Sequence, residues 1–145
     1  MTEQRPQNAP SPAKTSRIIY AAIIIGIVTL FGVLLYLRTA TSPEIPDQTA
    51  GILKWVALGA LVASAIISYM LRSRIPLPGS GIDRDTWWVA NQPKAVASWA
   101  VAESGGLVAI VVGWLIGNTT VMALGAGVAL ALLFVSRPGA LEGAA

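Results

Sequence analysis

One carboxylate stands apart in this chain. Glu103 is the only acidic residue inside any of its four long apolar stretches, and the chain contains no His and no Cys. Those absences exclude disulfides, Cys-based redox chemistry, zinc fingers, Ser-His or Cys-His catalysis and His-ligated haem. A solitary carboxyl group can accept or donate a hydrogen bond, exchange a proton, or contribute to a cation site. General acid–base catalysis usually needs a second cooperating group, so the chain is not expected to be an enzyme, and no cofactor or metal is implied. An ionisable side chain within an apolar span is by default a functional-site hypothesis.

The stretch that must position Glu103 is residues 95–117, long and apolar enough to cross a bilayer. Counted from its start at about 1.5 Å per residue, Glu103 lies roughly 6–12 Å inside. The preceding apolar stretch, residues 51–71, runs the opposite way and brings Ser64 and Ser68 level with it. Lys54 falls near the opposite face. A buried carboxyl without a cation favours its neutral form, and a protonated Glu103 held by Ser64 or Ser68 is the expected arrangement. Three roles follow from these residues: a satisfied structural acid, a proton- or cation-binding group made with Ser64 and Ser68, or an acid snorkelling towards the interface.

The composition agrees with a membrane protein. Of 145 residues 54% are hydrophobic and 12% charged, about half the charged share of a soluble domain, which is ~25%. Four spans are expected at about 18–37, 51–71, 95–117 and 119–136, joined by a polar loop at 38–50 and a longer cytoplasmic loop at 72–94. Residues 1–17 read as a disordered cytoplasmic tail, with Pro6, Pro10 and Pro12, and residues 137–145 as a short cytoplasmic tail. Asp83 or Asp85 can cap a short interfacial helix in the longer loop, and Pro93 suits the first turn of the third span. Tyr20, Tyr36, Trp55, Tyr69, Trp87 and Trp88 sit near span ends and are read as interfacial anchors.

Basic residues set the expected orientation. Arg5, Lys14, Arg17, Arg72, Arg74, Arg84, Lys94 and Arg137 fall on one side of a four-span arrangement, and only Arg38 and Lys54 on the other. The positive-inside rule then places both termini in the cytoplasm, in an inner (plasma) membrane. Because these residues flank apolar spans rather than forming one patch, the net charge of +3 does not indicate a nucleic-acid partner. The fold class is therefore all-α, an integral membrane four-helix bundle with up-down topology.

Small residues supply packing seams. Gly105, Ala109, Gly113 and Gly117 recur every fourth position and share one face of a helix, and Ala123, Gly127 and Ala131 do the same on the fourth span. Gly117-Asn118-Thr119 is a turn so short that the third and fourth spans must be antiparallel neighbours, so these two faces are expected to meet.

Locally, Ala100-Val101-Ala102-Glu103-Ser104-Gly105-Gly106-Leu107-Val108 resembles the ion-binding helix of rotary ATPase c-ring subunits, in which an Ala-x-x-Glu stretch carries the carboxylate that binds a proton or Na⁺. That resemblance implies an ion-binding role for Glu103. It covers about a dozen residues, and the chain departs from the family in its closer polar loop, its sparser glycines and the extra span that follows. The whole chain is similar in layout to small, uncharacterised multi-pass proteins of bacterial inner membranes. The function expected from the seams is that of a non-enzymatic accessory or assembly subunit, contacting the lipid bilayer and either another membrane protein or a second copy through its helices. Proton or cation translocation through Glu103 is the alternative.

Overall fold

The computed structural model describes residues 10–41, 43 and 45–143, and among these there are helices and no strands. The helices are α1 (Pro12–Ala40), α2 (Asp47–Ser73), α3 (Arg84–Leu115), α4 (Thr119–Val135) and a single turn, α5 (Pro138–Leu141). The first three are long and apolar enough to cross a membrane, and α4 is shorter at 17 residues. Residues 1–9 of the expected tail lie outside the described residues.

Helix boundaries follow local chemistry. Ser11 caps α1 by accepting a hydrogen bond from the Lys14 amide, and Pro12 occupies a first-turn position where its missing N–H is no loss. The helix thus starts six residues before the expected span, and residues 12–17 are ordered rather than tail. Asp83 caps α3 through the Thr86 amide at 3.2 Å. The cap was legible in the sequence, but the helix it starts is no separate interfacial piece: it runs unbroken through Pro93 to Leu115. Proline there removes the bond to the carbonyl of Val89, which lies on an exposed turn. The connection between α2 and α3 is correspondingly much shorter than residues 72–94. Gly117, at φ +65°, makes the left-handed residue that reverses the chain into α4, whose first turn Asn118 caps through the Val121 amide.

α3 is the central element: 50% of its apolar segment is buried, against 11% for α1 and 17% for α2. It packs against α1, α2 and α4. The contacts give each neighbour's direction. Ala13 and Tyr20 of α1 meet Asp85 and Trp99 of α3, so these two helices run parallel. Ser68 and Ser64 of α2 meet Ser98 and Gly105, so α2 runs antiparallel to α3. Tyr20 of α1 donates to the Leu133 carbonyl near the end of α4, so α1 and α4 are antiparallel. By contrast, α1 and α2 share no extended contact. Large apolar side chains such as Ile25, Val28, Val62, Ile66 and Phe134 remain exposed on the outer faces.

The packing seams differ from the expected ones. Gly105 faces α2, where an added Cβ would collide with Ser64 and lie 3.1 Å from the Ala60 carbonyl. Its neighbour Gly106 faces α4 instead: a Cβ there would come within 2.5 Å of Ala129 Cβ and 2.9 Å of the Gly125 carbonyl. Gly113 does meet α4, against Met122 and the Asn118 carbonyl, and Ala109 lies against Gly125. Ala123, Gly127 and Ala131 are exposed, with nothing within 4 Å of a Cβ on Gly127, and Gly117 is in the turn. The α4 face that packs is Met122, Gly125, Ala126, Ala129 and Leu133. The small residues 123, 127 and 131 point outward, and the close approach of α3 and α4 is made where Gly106 and Gly125 lie opposite each other.

Candidate functional site

Glu103 projects from the side of α3 that faces α1. A Cβ added to Gly26 would lie 3.7 Å from its Oε1 atom, so the carboxyl group rests over the backbone of α1 at its glycine. Gly26 is about 12 Å along α1 from Ile18, at about 1.5 Å per residue. This puts Glu103 near the middle of the apolar part of α1, at the deep end of the range counted from residue 95.

The expected partners are elsewhere. Ser64 packs against Gly105 and donates to the Leu61 carbonyl at 2.9 Å. Ser68 is paired with Ser98, with hydroxyl–carbonyl bonds of 3.1 Å in both directions. Both serines are on the α2 side of α3, whereas Glu103 is on its α1 side. The expectation of a Glu103–Ser64–Ser68 cluster is therefore corrected: position 103 lies about 200° around the helix from position 105. Among the described residues, no hydrogen bond or ion pair reaches the Glu103 carboxyl, and no group of three or more metal-ligating side chains exists.

Beside Glu103 the surface of α3 is left uncovered. Because α1 and α2 flank α3 without packing together, the strip of α3 between them is uncovered. Ala100, Ser104, Val108 and Val111 are exposed along this strip. Glu103, partly buried, lies at its edge, where α3 meets α1. The exposed strip of α3 itself is apolar apart from that carboxyl and Ser104, whose hydroxyl is engaged with the Val101 carbonyl at 2.9 Å.

A second polar assembly closes one end of the molecule, and sequence reasoning missed it. Glu142, just beyond α5, has a side chain only 5% exposed. It accepts a hydrogen bond from Trp88 Nε1 at 2.8 Å and ion-pairs with Arg84 Nε at 3.2 Å and Arg17 Nη2 at 3.4 Å. Trp88 lies between Trp87, which is edge-on to it, and Trp99, which is tilted against it, with Tyr20 edge-on to Trp99 at 5.2 Å between ring centroids. Trp87 and Trp88 are thus buried at 4% and 0% exposure, rather than interfacial anchors. Their indole N–H groups go to the Pro76 carbonyl and Glu142. Tyr20 is likewise turned inward by its bond to Leu133, whereas Tyr36, Trp55 and Tyr69 are exposed. The sequence carried one usable signal: Glu142 is the only acid after Glu103, in a tail otherwise free of charge beyond Arg137.

Compared with protein-family models, curated proteins and solved structures, the chain finds no match.

At the other end, Arg38 of α1 reaches the α3–α4 turn, bonding the Gly117 carbonyl and the Thr119 hydroxyl. The two ends of α1 are therefore tied to α3 and α4 by polar contacts, and only its contact with α2 is missing. The strip of α3 between α1 and α2 is left uncovered, and the one carboxylate of the apolar spans is at its edge.

Proposed function

We propose that this chain is a four-helix integral membrane protein of up-down topology, with both termini in the cytoplasm, and that it is a non-enzymatic assembly subunit. Its groove between α1 and α2 receives one transmembrane helix of a different protein, which brings a basic or other hydrogen-bond-donating side chain level with Glu103. The observation that carries this reading is the position of Glu103: over Gly26, deep in the apolar zone, with no donor upon it among the described residues. A carboxyl group in hydrocarbon is strongly favoured to find a partner, and interhelical hydrogen bonds of this kind contribute about 1–2 kcal/mol.

A second copy of the chain fits the groove less well. Copies inserted in one orientation present the same groups at the same depth. The basic residues lie near the span ends, with Lys54 about 15 Å from the level of Ser64 along α2 at about 1.5 Å per residue. A copy would therefore bring apolar surface or another carboxylate to Glu103, not a cation.

The test is purification in mild detergent followed by mass spectrometry of what stays bound, comparing the wild type with Glu103→Gln and Glu103→Leu. The reading predicts a stoichiometric partner with a basic or donor residue in one span, retained by Glu103→Gln in part. Glu103→Leu should weaken it about tenfold, the equivalent of ~1.4 kcal/mol. Equal retention by all three proteins contradicts the role of Glu103. Proton or cation flux by the isolated protein in liposomes, abolished by Glu103→Gln, would replace this reading with translocation.

A further inference from the structure

The Glu142 assembly has the chemistry of an oxyanion site that is filled by the protein's own tail. Two guanidinium groups and an indole N–H converge on one carboxylate. The indole bond is short, but the guanidinium contacts are long. Arg84 approaches at 3.2 Å, and a single nitrogen of Arg17 spans both oxygens at 3.4 and 3.5 Å. Charge-assisted bonds of this type are ordinarily about 2.7–2.9 Å, and guanidinium usually grips a carboxylate through two parallel bonds. Neither arginine does so here. Each carries five N–H donors, and Glu142 engages one nitrogen of each. The rest of both side chains is turned outward, at 54% and 58% exposure.

The segment that delivers Glu142 is slight: one turn of helix, α5, held mainly by Leu141 and Pro138. Two cavities adjoin it. One of about 280 Å³ is bounded by Pro78, Ile82, Arg84, Trp87 and Glu142, and one of about 170 Å³ includes Tyr69, Arg72 and Leu141. The surroundings are basic: Lys14, Arg17, Arg72, Arg74, Arg84 and Arg137 belong to the helix ends that converge here, against Asp83, Asp85 and Glu142.

We infer that Arg17, Arg84 and Trp88 form a binding site for a phosphate oxyanion, which Glu142 occupies as an internal competitor and which an anionic phospholipid headgroup takes over by displacing the segment around α5. A phosphate diester has more acceptor oxygens than a carboxylate and spreads them tetrahedrally, so it can engage the unused donors of both arginines at once. The ends of the apolar helices set the site at headgroup level, where basic pockets between helices meet anionic lipid. This inference does not depend on what fills the groove beside Glu103.

The chain has no Cys, so Leu141→Cys introduces a single thiol at a position 5% exposed. The full-length variant is reconstituted in phosphatidylcholine nanodiscs, in nanodiscs that also contain phosphatidylglycerol, and in phosphatidylcholine with inorganic phosphate added. Thiol labelling is expected to be several-fold faster with phosphatidylglycerol, and Arg84→Gln should remove that acceleration. Acceleration by phosphatidylglycerol alone assigns the site to lipid. Equal acceleration by free phosphate keeps the oxyanion site but overturns the lipid source. The same slow labelling in all three conditions overturns the site itself. A second measurement serves if Leu141→Cys does not fold. Native mass spectrometry should find more retained phosphatidylglycerol on Glu142→Gln than on wild type, and less on Arg84→Gln. Equal retention on all three contradicts the inference.

Discussion

The Oε1 atom of Glu103 rests over Gly26, in ordinary van der Waals contact with a Cβ placed there. Gly26→Ala should therefore be accepted, with its Cβ in ordinary contact at 3.7 Å. Gly26→Leu should push the Glu103 carboxyl from its place over α1. If the carboxyl is a docking point, Gly26→Leu loses the bound partner in a pull-down while Gly26→Ala keeps it. Loss by both, or by neither, would show that the carboxyl is not read at this place.

Gly106 and Gly127 are both glycines in small-residue rows, yet they should behave oppositely. Gly106→Ala inserts a methyl group within 2.5 Å of Ala129 Cβ, and overpacking of this kind costs about 1–3 kcal/mol. Gly127→Ala meets nothing within 4 Å, and replacing a mid-helix glycine by alanine contributes about 0.5–1 kcal/mol of stability. Thermal unfolding in detergent should show a lower midpoint for the first and an equal or higher one for the second. The reverse order would place α3 and α4 in the register expected from Ala123 and Gly127.

Two indole groups give a similar contrast. Trp99 Nε1 donates to the Ser136 carbonyl at 2.8 Å, whereas Trp114 Nε1 is buried without a partner among the described residues. Phenylalanine at 99 forfeits a hydrogen bond, a loss of about 0.5–1.5 kcal/mol beyond the change in volume. Phenylalanine at 114 removes an unsatisfied donor. Trp99→Phe should unfold at the lower temperature, and equal shifts would contradict the assignment.

The proposed orientation is open to reporter fusions. Insertions at residues 79–82 and after Gly143 should report the cytoplasm, and one at residues 43–46 the outside, following the distribution of Lys and Arg. An external signal at 79–82 would overturn the topology.

The apolar segments were legible because each is a continuous run bounded by charge or by Gly and Pro, and α4 matches its expected span to within one residue. The continuity of α3 was not. Residues 72–94 read as a connecting loop holding a short interfacial helix capped by Asp83 or Asp85; that helix runs on into the span, with Trp87 and Trp88 buried by the tail and by Trp99. Spacing by four found a close-contact helix in 95–117 but could not say which neighbour each glycine meets. Gly105 and Gly106 are adjacent in sequence and about 100° apart around the helix, and one serves α2 and the other α4. The Glu142 assembly joins residues 17, 84, 88 and 142, which no local pattern connects. Glu103 was recognisable by its isolation in apolar sequence, and only the packing places it on the α1 side.

The central claim is that a helix from another protein fills the groove between α1 and α2, and a photo-crosslinking residue at Val108 tests it most directly. Val108 is exposed in that groove, and Phe134, exposed on α4, is the matched control. Irradiated in native membranes, the Val108 probe should join the chain to one discrete protein whose crosslinked peptide is a transmembrane segment with a basic or donor side chain. The Phe134 probe should not, and Gly26→Leu should abolish the product. Crosslinks from Val108 only to lipid or to a second copy of this chain would contradict the account.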